Sequence, residues 1–121
     1  MIFPIGTVLG ELEMITEYEY YDCPRLFTCK NQMGKPYVGL SVKDNDDNQV
    51  WLYVAISRKR LAKAERGEID VREVFLEAEE KFVLEVTTYN DKADTARMVI
   101  CKEIPETFLP IAELFFNGDH I

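Results

Sequence analysis

The chain has 121 residues, enough for one hydrophobic core, and its 14 Lys+Arg against 22 Asp+Glu give a formal net charge of -8. That balance opposes non-specific nucleic-acid binding, which depends on neutralising phosphates, and 47% hydrophobic residues with only 6 Gly and 5 Pro exclude a disordered or fibrous chain. Three cysteines do not make a disulfide framework, no apolar run reaches the ~18–20 residues that span a bilayer, and the start Met1-Ile2-Phe3-Pro4 lacks the basic stretch of a signal peptide, so a cytoplasmic protein with reduced thiols is expected.

From Glu11 to Tyr21 the pattern alternates, with Leu12, Met14, Thr16, Tyr18 and Tyr20 on one parity and Glu11, Glu13, Glu17 and Glu19 on the other. Period two with β-formers predicts a half-buried strand. Asp22-Cys23-Pro24 breaks it, because proline donates nothing to a ladder and restricts the residue before it. Arg25 to Lys30 predicts a second strand, and the loop at 31–35 holds Gly34, which is free to take a positive φ. Pro36 opens a third strand with Val38, Leu40 and Val42 on one face. The fourth, Val50 to Ile56, is apolar on both parities, as expected of a strand covered on both sides.

Two short helices follow. Ser57 as N-cap and Gly67 as C′ bracket one at 58–66. Asp70 with Glu73 three residues later forms a capping box, with Ile69 and Val74 as its staple, for a second helix to about Glu79. Phe82 to Tyr89 returns to a strand pattern, 90–94 forms a hairpin loop, and Thr95 to Lys102 is the last strand, with Met98 and Ile100 expected to point inward. Residues 104–121 form an apolar tail or docking segment containing Phe108, Leu109, Ile111, Leu114, Phe115 and Phe116. The sum is an α+β fold in a single domain: a mostly antiparallel sheet of about six strands, made of a four-strand meander, the two helices and a C-terminal hairpin, with the helices on one face.

Catalytic and metal-ligating constellations are sparse. His120 is the only histidine and sits beside the chain end, with no nucleophile near it. Cys23 and Cys29 have no second close pair of the kind that holds structural zinc, so no metal or cofactor is expected, and Cys23 in a turn reads as a small half-buried residue rather than a reactive thiol. Asp44-x-Asp46-x-Asn48 opens like a calcium loop and then fails, with Gln49 where glycine is needed and Ala55 where a bidentate glutamate is needed. Arg58, Lys59, Lys63 and Arg66 could form an anion-binding patch on the first helix, although a solvated face is the ordinary reading of such a cluster. The Glu11, Glu13, Glu17 and Glu19 row could support acid/base or Mg²⁺-assisted chemistry, and again reads first as an exposed strand face. Trp51 and Tyr53, with Tyr37, make either an aromatic platform for a partner or a second small core.

Tyr20-Tyr21-Asp22-x-Pro24-x-Leu26-Phe27, then Gly34, Trp51-Leu52-Tyr53-Val54, Ser57-x-x-Arg60-Leu61 and Gly67-x-Ile69-Asp70-x-Arg72 resembles a family of bacterial domains of unknown function over about residues 6–110. The resemblance implies a bacterial, cytosolic domain and no activity. The shared residues are turn, cap and core types, which a common fold needs without common chemistry.

The expectation is therefore a non-enzymatic protein-interaction domain, a small acidic accessory, regulatory or immunity-type protein that binds another protein or itself. Trp51, Tyr53, Leu114, Phe115 and Phe116 are its candidate contacts, and replacing Phe115 and Phe116 by serine is expected to leave the fold intact. The alternatives are a carboxylate-based enzyme, leaning on the glutamate row, and a nucleic-acid or nucleotide binder through the basic helix.

Overall fold

The computed structural model describes residues 12–21, 23–44, 48–89, 92–110 and 116. It is α+β, with a six-stranded antiparallel sheet and two helices. The strands are β1 (Glu13–Tyr21), β2 (Cys23–Lys30), β3 (Pro36–Asp44), β4 (Asn48–Ala55), β5 (Phe82–Tyr89) and β6 (Lys92–Ile100), and the helices between β4 and β5 are α1 (Arg58–Glu65) and α2 (Val71–Leu76). The sheet order is the chain order, β1-β2-β3-β4-β5-β6, so every strand pairs with the one made just before it.

Local chemistry sets the boundaries. Pro24 is accommodated inside β2 because pairing to β3 begins only at Leu26, so its missing N–H interrupts no ladder on that side. The β2–β3 turn is closed by Asn31, whose Oδ1 accepts from Met33 N at 3.0 Å and Lys35 N at 2.9 Å, with Gly34 at φ 83°. Ser57 caps α1 by accepting from Arg60 N at 3.1 Å, and Gly67 at φ 78° ends it. Asp70 caps α2 by accepting from Glu73 N at 2.8 Å. That helix stops at Leu76 rather than near Glu79. Ala78 turns into the core, Lys81 N donates to Ala78 O at 3.0 Å, and Lys81 takes a positive φ of 68° to enter β5. A capping signal marks where a helix starts, and burial of the following residue decides where it ends.

Apolar residues of the sheet separate by parity into two clusters. The first joins Leu26, Val38, Leu40, Leu52, Val54, Val83 and Val99 to Ala64, Val71, Val74 and Phe75 of the helices. The second contains Phe27, Cys29, Tyr37, Trp51, Tyr53 and Val86, with no helix residue among them. Full burial of each such aliphatic or aromatic side chain contributes ~1.5–3 kcal/mol, so both faces of β4 help to hold the sheet. The last strand departs from expectation in parity. Val99 is the buried residue, while Met98 and Ile100 are 64% and 52% exposed. Residues on both parities of this strand are apolar, and Val99 opposite Val83 settles which of them enters the first cluster.

Candidate interaction surface

The second cluster is closed. Phe27 stands edge-on to both Trp51 and Tyr53, with ring centroids 6.0 Å apart in each pair. Trp51 is 2% and Tyr53 1% exposed, so these two side chains are interior and offer no aromatic platform. The ring of Phe27 lies directly over Gly39, where a Cβ would sit 2.4 Å from Phe27 Cζ. A glycine inside a strand signals such a close approach, and it is the one sequence signal for this packing that the pattern of aromatic residues alone does not carry.

This interior is polar at its edges and chemically quiet. Trp51 Nε1, Tyr53 Oη and Ser41 Oγ are buried without hydrogen-bond partners among the described residues. Burial, and then the neighbouring Cys29, push the Tyr53 hydroxyl well above its ordinary range. Burial alone pushes the Cys29 thiol up to about 12. A thiol held protonated is a poor nucleophile at neutral pH. Because the Tyr53 hydroxyl is desolvated and unpaired, Tyr53→Phe is expected to raise stability by about 1 kcal/mol. Urea denaturation checks this, and a clear loss of stability would mean that the hydroxyl has an energetically important partner.

The described part of the C-terminal tail packs on the first cluster. Ile104 and Phe116 are buried in it, and Phe108 and Leu109 lie against it. Phe116 is 0% exposed and stands edge-on to Tyr18 at 5.2 Å, and Arg72 Nη1 donates to Pro110 O at 3.0 Å. Tyr18 in turn donates to Glu65 at 2.8 Å, and burial is the main cause raising its hydroxyl to about 12. The idea that Phe116 can be replaced by serine without harm to the fold is therefore corrected: its ring is part of the core. Leu114 and Phe115 lie outside the described residues, as do His120 and Asp46.

On α1, Arg58, Lys59 and Lys63 are exposed, and none has an ion-pair partner among the described residues. Arg66 is paired with Glu68. The start of the helix is already occupied by a carboxylate of the chain itself, since Ser57 N donates to Glu79 Oε1 at 2.7 Å. Of the glutamate row, Glu13 sits 3.9 Å from Lys30, Glu11 lies outside the described residues, and the side chains of Glu17 and Glu19 are likewise not described. Among the described residues no three His, Cys, Asp or Glu side chains come together as metal ligands, and no helix is long and apolar enough to cross a membrane.

The exposed apolar surface gathers elsewhere. Of the five large exposed hydrophobic residues described, Ile15 lies on β1 and Met33 at the β2–β3 turn, while Leu76, Met98 and Ile100 surround the end of β6. Leu76 and Ile100 line one open groove of about 730 Å³, edged by Lys81, Lys102, Glu77 and Glu103. Met98 lines another of about 370 Å³ with Phe82 and Leu84; its far side is crossed by Lys35, which pairs with Glu80 at 2.9 Å and lies 5.6 Å from the Tyr37 ring centroid. Met98 and Ile100 sit on β6, which pairs only with β5 among the described residues.

The model of a family of unknown function, DUF6575, matches residues 1–121, and the chain belongs to that family. No curated protein and no solved structure matches it.

Proposed function

We propose that this member of the DUF6575 family is a non-enzymatic protein-interaction domain, a small acidic accessory or regulatory protein that docks its partner on the β6 edge. One observation carries the reading: Met98 and Ile100 are 64% and 52% exposed on an edge strand, with exposed Leu76 beside Ile100. An edge strand presents a row of outward N–H and C=O groups that a further strand can pair with. Contiguous apolar side chains beside such a row are the usual mark of an interface. In this reading the helices cover one face of the sheet and leave the edge open. The protein works in the cytoplasm, where the free thiols of Cys29 and Cys101 stay reduced.

The alternatives have less in their favour. An anion site on the basic helix rests on exposed Arg58, Lys59 and Lys63, against a helix start filled by Glu79 and a net charge of -8. A carboxylate enzyme rests on the glutamate row alone. The test is differential capture from the native host, with the intact chain and the Met98→Lys/Ile100→Lys double variant as baits, both checked as folded by thermal melting. A protein retained by the first and lost by the second is expected. An identical captured set overturns docking at this edge.

A further inference from the structure

We infer that the occupant of the β6 edge is a second copy of this chain, paired antiparallel about a two-fold axis with Met98 of one copy opposite Met98 of the other. The inference rests on the docking reading above and names its partner.

The two edges of the sheet differ. Pairing of β1 with β2 is broken by three irregularities, a common way of blunting an edge. From Thr95 to Ile100, β6 follows β5 residue for residue without a shift. Ala96 to Ile100 contains no proline and one charge, Arg97, whose Nη2 is held 3.0 Å from Glu85 on β5. Among the described residues the end of this edge is regular, uncovered and mostly apolar.

A strand that pairs with its own copy must match its own reverse, and centring on Met98 achieves this. Ala96 then faces Ile100, and Met98 faces itself, on the exposed apolar side. Arg97 faces Val99 on the other side. Centring on Arg97 sets two like charges directly opposite, which is destabilising. Centring on Val99 leaves only Met98 to Ile100 to pair, a shorter run than the Ala96 to Ile100 that a Met98 centre allows, because the strand ends in a short 3-10 turn at Cys101. The charges around the edge also favour a copy. Lys81, Lys102 and Arg97 are balanced there by Glu77, Glu103 and Glu85, so this surface is locally neutral on a chain of net charge -8. Self-repulsion is weakest where the balance is even. A strand pair with a few apolar contacts lies at the small end of specific interfaces, so the dimer is expected to be concentration-dependent.

Sedimentation equilibrium of the full chain tests the state, and cysteine crosslinking tests the register. The average mass is expected to rise with concentration from 14.1 kDa towards twice that value. Met98→Lys is expected to weaken association about tenfold, through the lost apolar pair and the like charges placed opposite each other. Directly opposed residues have Cα atoms ~4.5–5.5 Å apart, within disulfide range. Under mild oxidation Met98→Cys should therefore form a covalent dimer, and Ala96→Cys, whose copies lie far apart in this register, should not. A constant monomer mass, or equal crosslinking at both positions, overturns the inference. A monomer whose Met98→Lys/Ile100→Lys variant still loses a captured protein removes the second copy and leaves the docking reading standing. A monomer whose captured set is unchanged removes both.

Discussion

Gly39→Ala is expected to destabilise the fold by about 2–3 kcal/mol, and adding Phe27→Leu to the same chain is expected to restore part of that loss. The new Cβ would stand 2.4 Å from Phe27 Cζ, 2.5 Å from Cε2 and 3.0 Å from Cε1. None of these contacts can be held, so the ring or the strand must move. The ring has little freedom to do so. It is 0% exposed and boxed in by Trp51 and Tyr53, both of them buried. Moving the backbone instead would disturb the registers of Gly39 with Phe27 on one side and Tyr53 on the other. The smaller leucine vacates the space that alanine needs, so the two substitutions should couple. Urea denaturation of the wild type, both single variants and the double variant measures that coupling directly. Additive losses would mean that glycine and ring do not compete for the same volume.

Phe116→Ala is expected to cost about 3–5 kcal/mol, the range for emptying a buried aromatic site. Against a typical total stability of roughly 5–15 kcal/mol this is a large fraction, and it corresponds to a fall in melting temperature on the order of 10–20 °C. The ring is 0% exposed and meets Tyr18 edge-on, and Tyr18 is tied to Glu65 of α1, so the residue braces β1 and the first helix together. A docking residue would give the opposite result, with unchanged melting and weakened association. Calorimetry of the purified variant separates the two outcomes.

What the sequence made legible was local. Ser57, Asp70, Gly34 and Gly67 act through their own backbone or through neighbours three residues away, and each stands at the turn or cap that its chemistry suits. The number and order of strands were equally legible, because turn residues and alternating apolar residues mark them. What escaped depended on the identity of distant neighbours. Trp51 and Tyr53 look the same in sequence whether a platform or a core surrounds them, and Phe27 lying over Gly39 decides it. Met98 and Ile100 alternate correctly for a buried face. They are exposed because β6 is an edge and Val99 is the residue that meets Val83. Phe116 reads as excess surface until Tyr18 is found beside it. The exposed cluster of Leu76, Met98 and Ile100 comes from two segments of different character, α2 and β6, and no spacing rule connects the helix residue to the strand pair.

The sequential strand order has a kinetic consequence. Each hairpin joins neighbours in the chain, and the widest gap, Ala55 to Phe82, is occupied by two short helices that pack on the first cluster. Little loop-closure entropy has to be spent before pairing is rewarded, which favours rapid folding for a sheet of this size. During synthesis each strand can add to the one that left the ribosome before it, and β6 comes last. Until then the open edge migrates with the growing sheet, so β6 takes that place only once the other five strands are made.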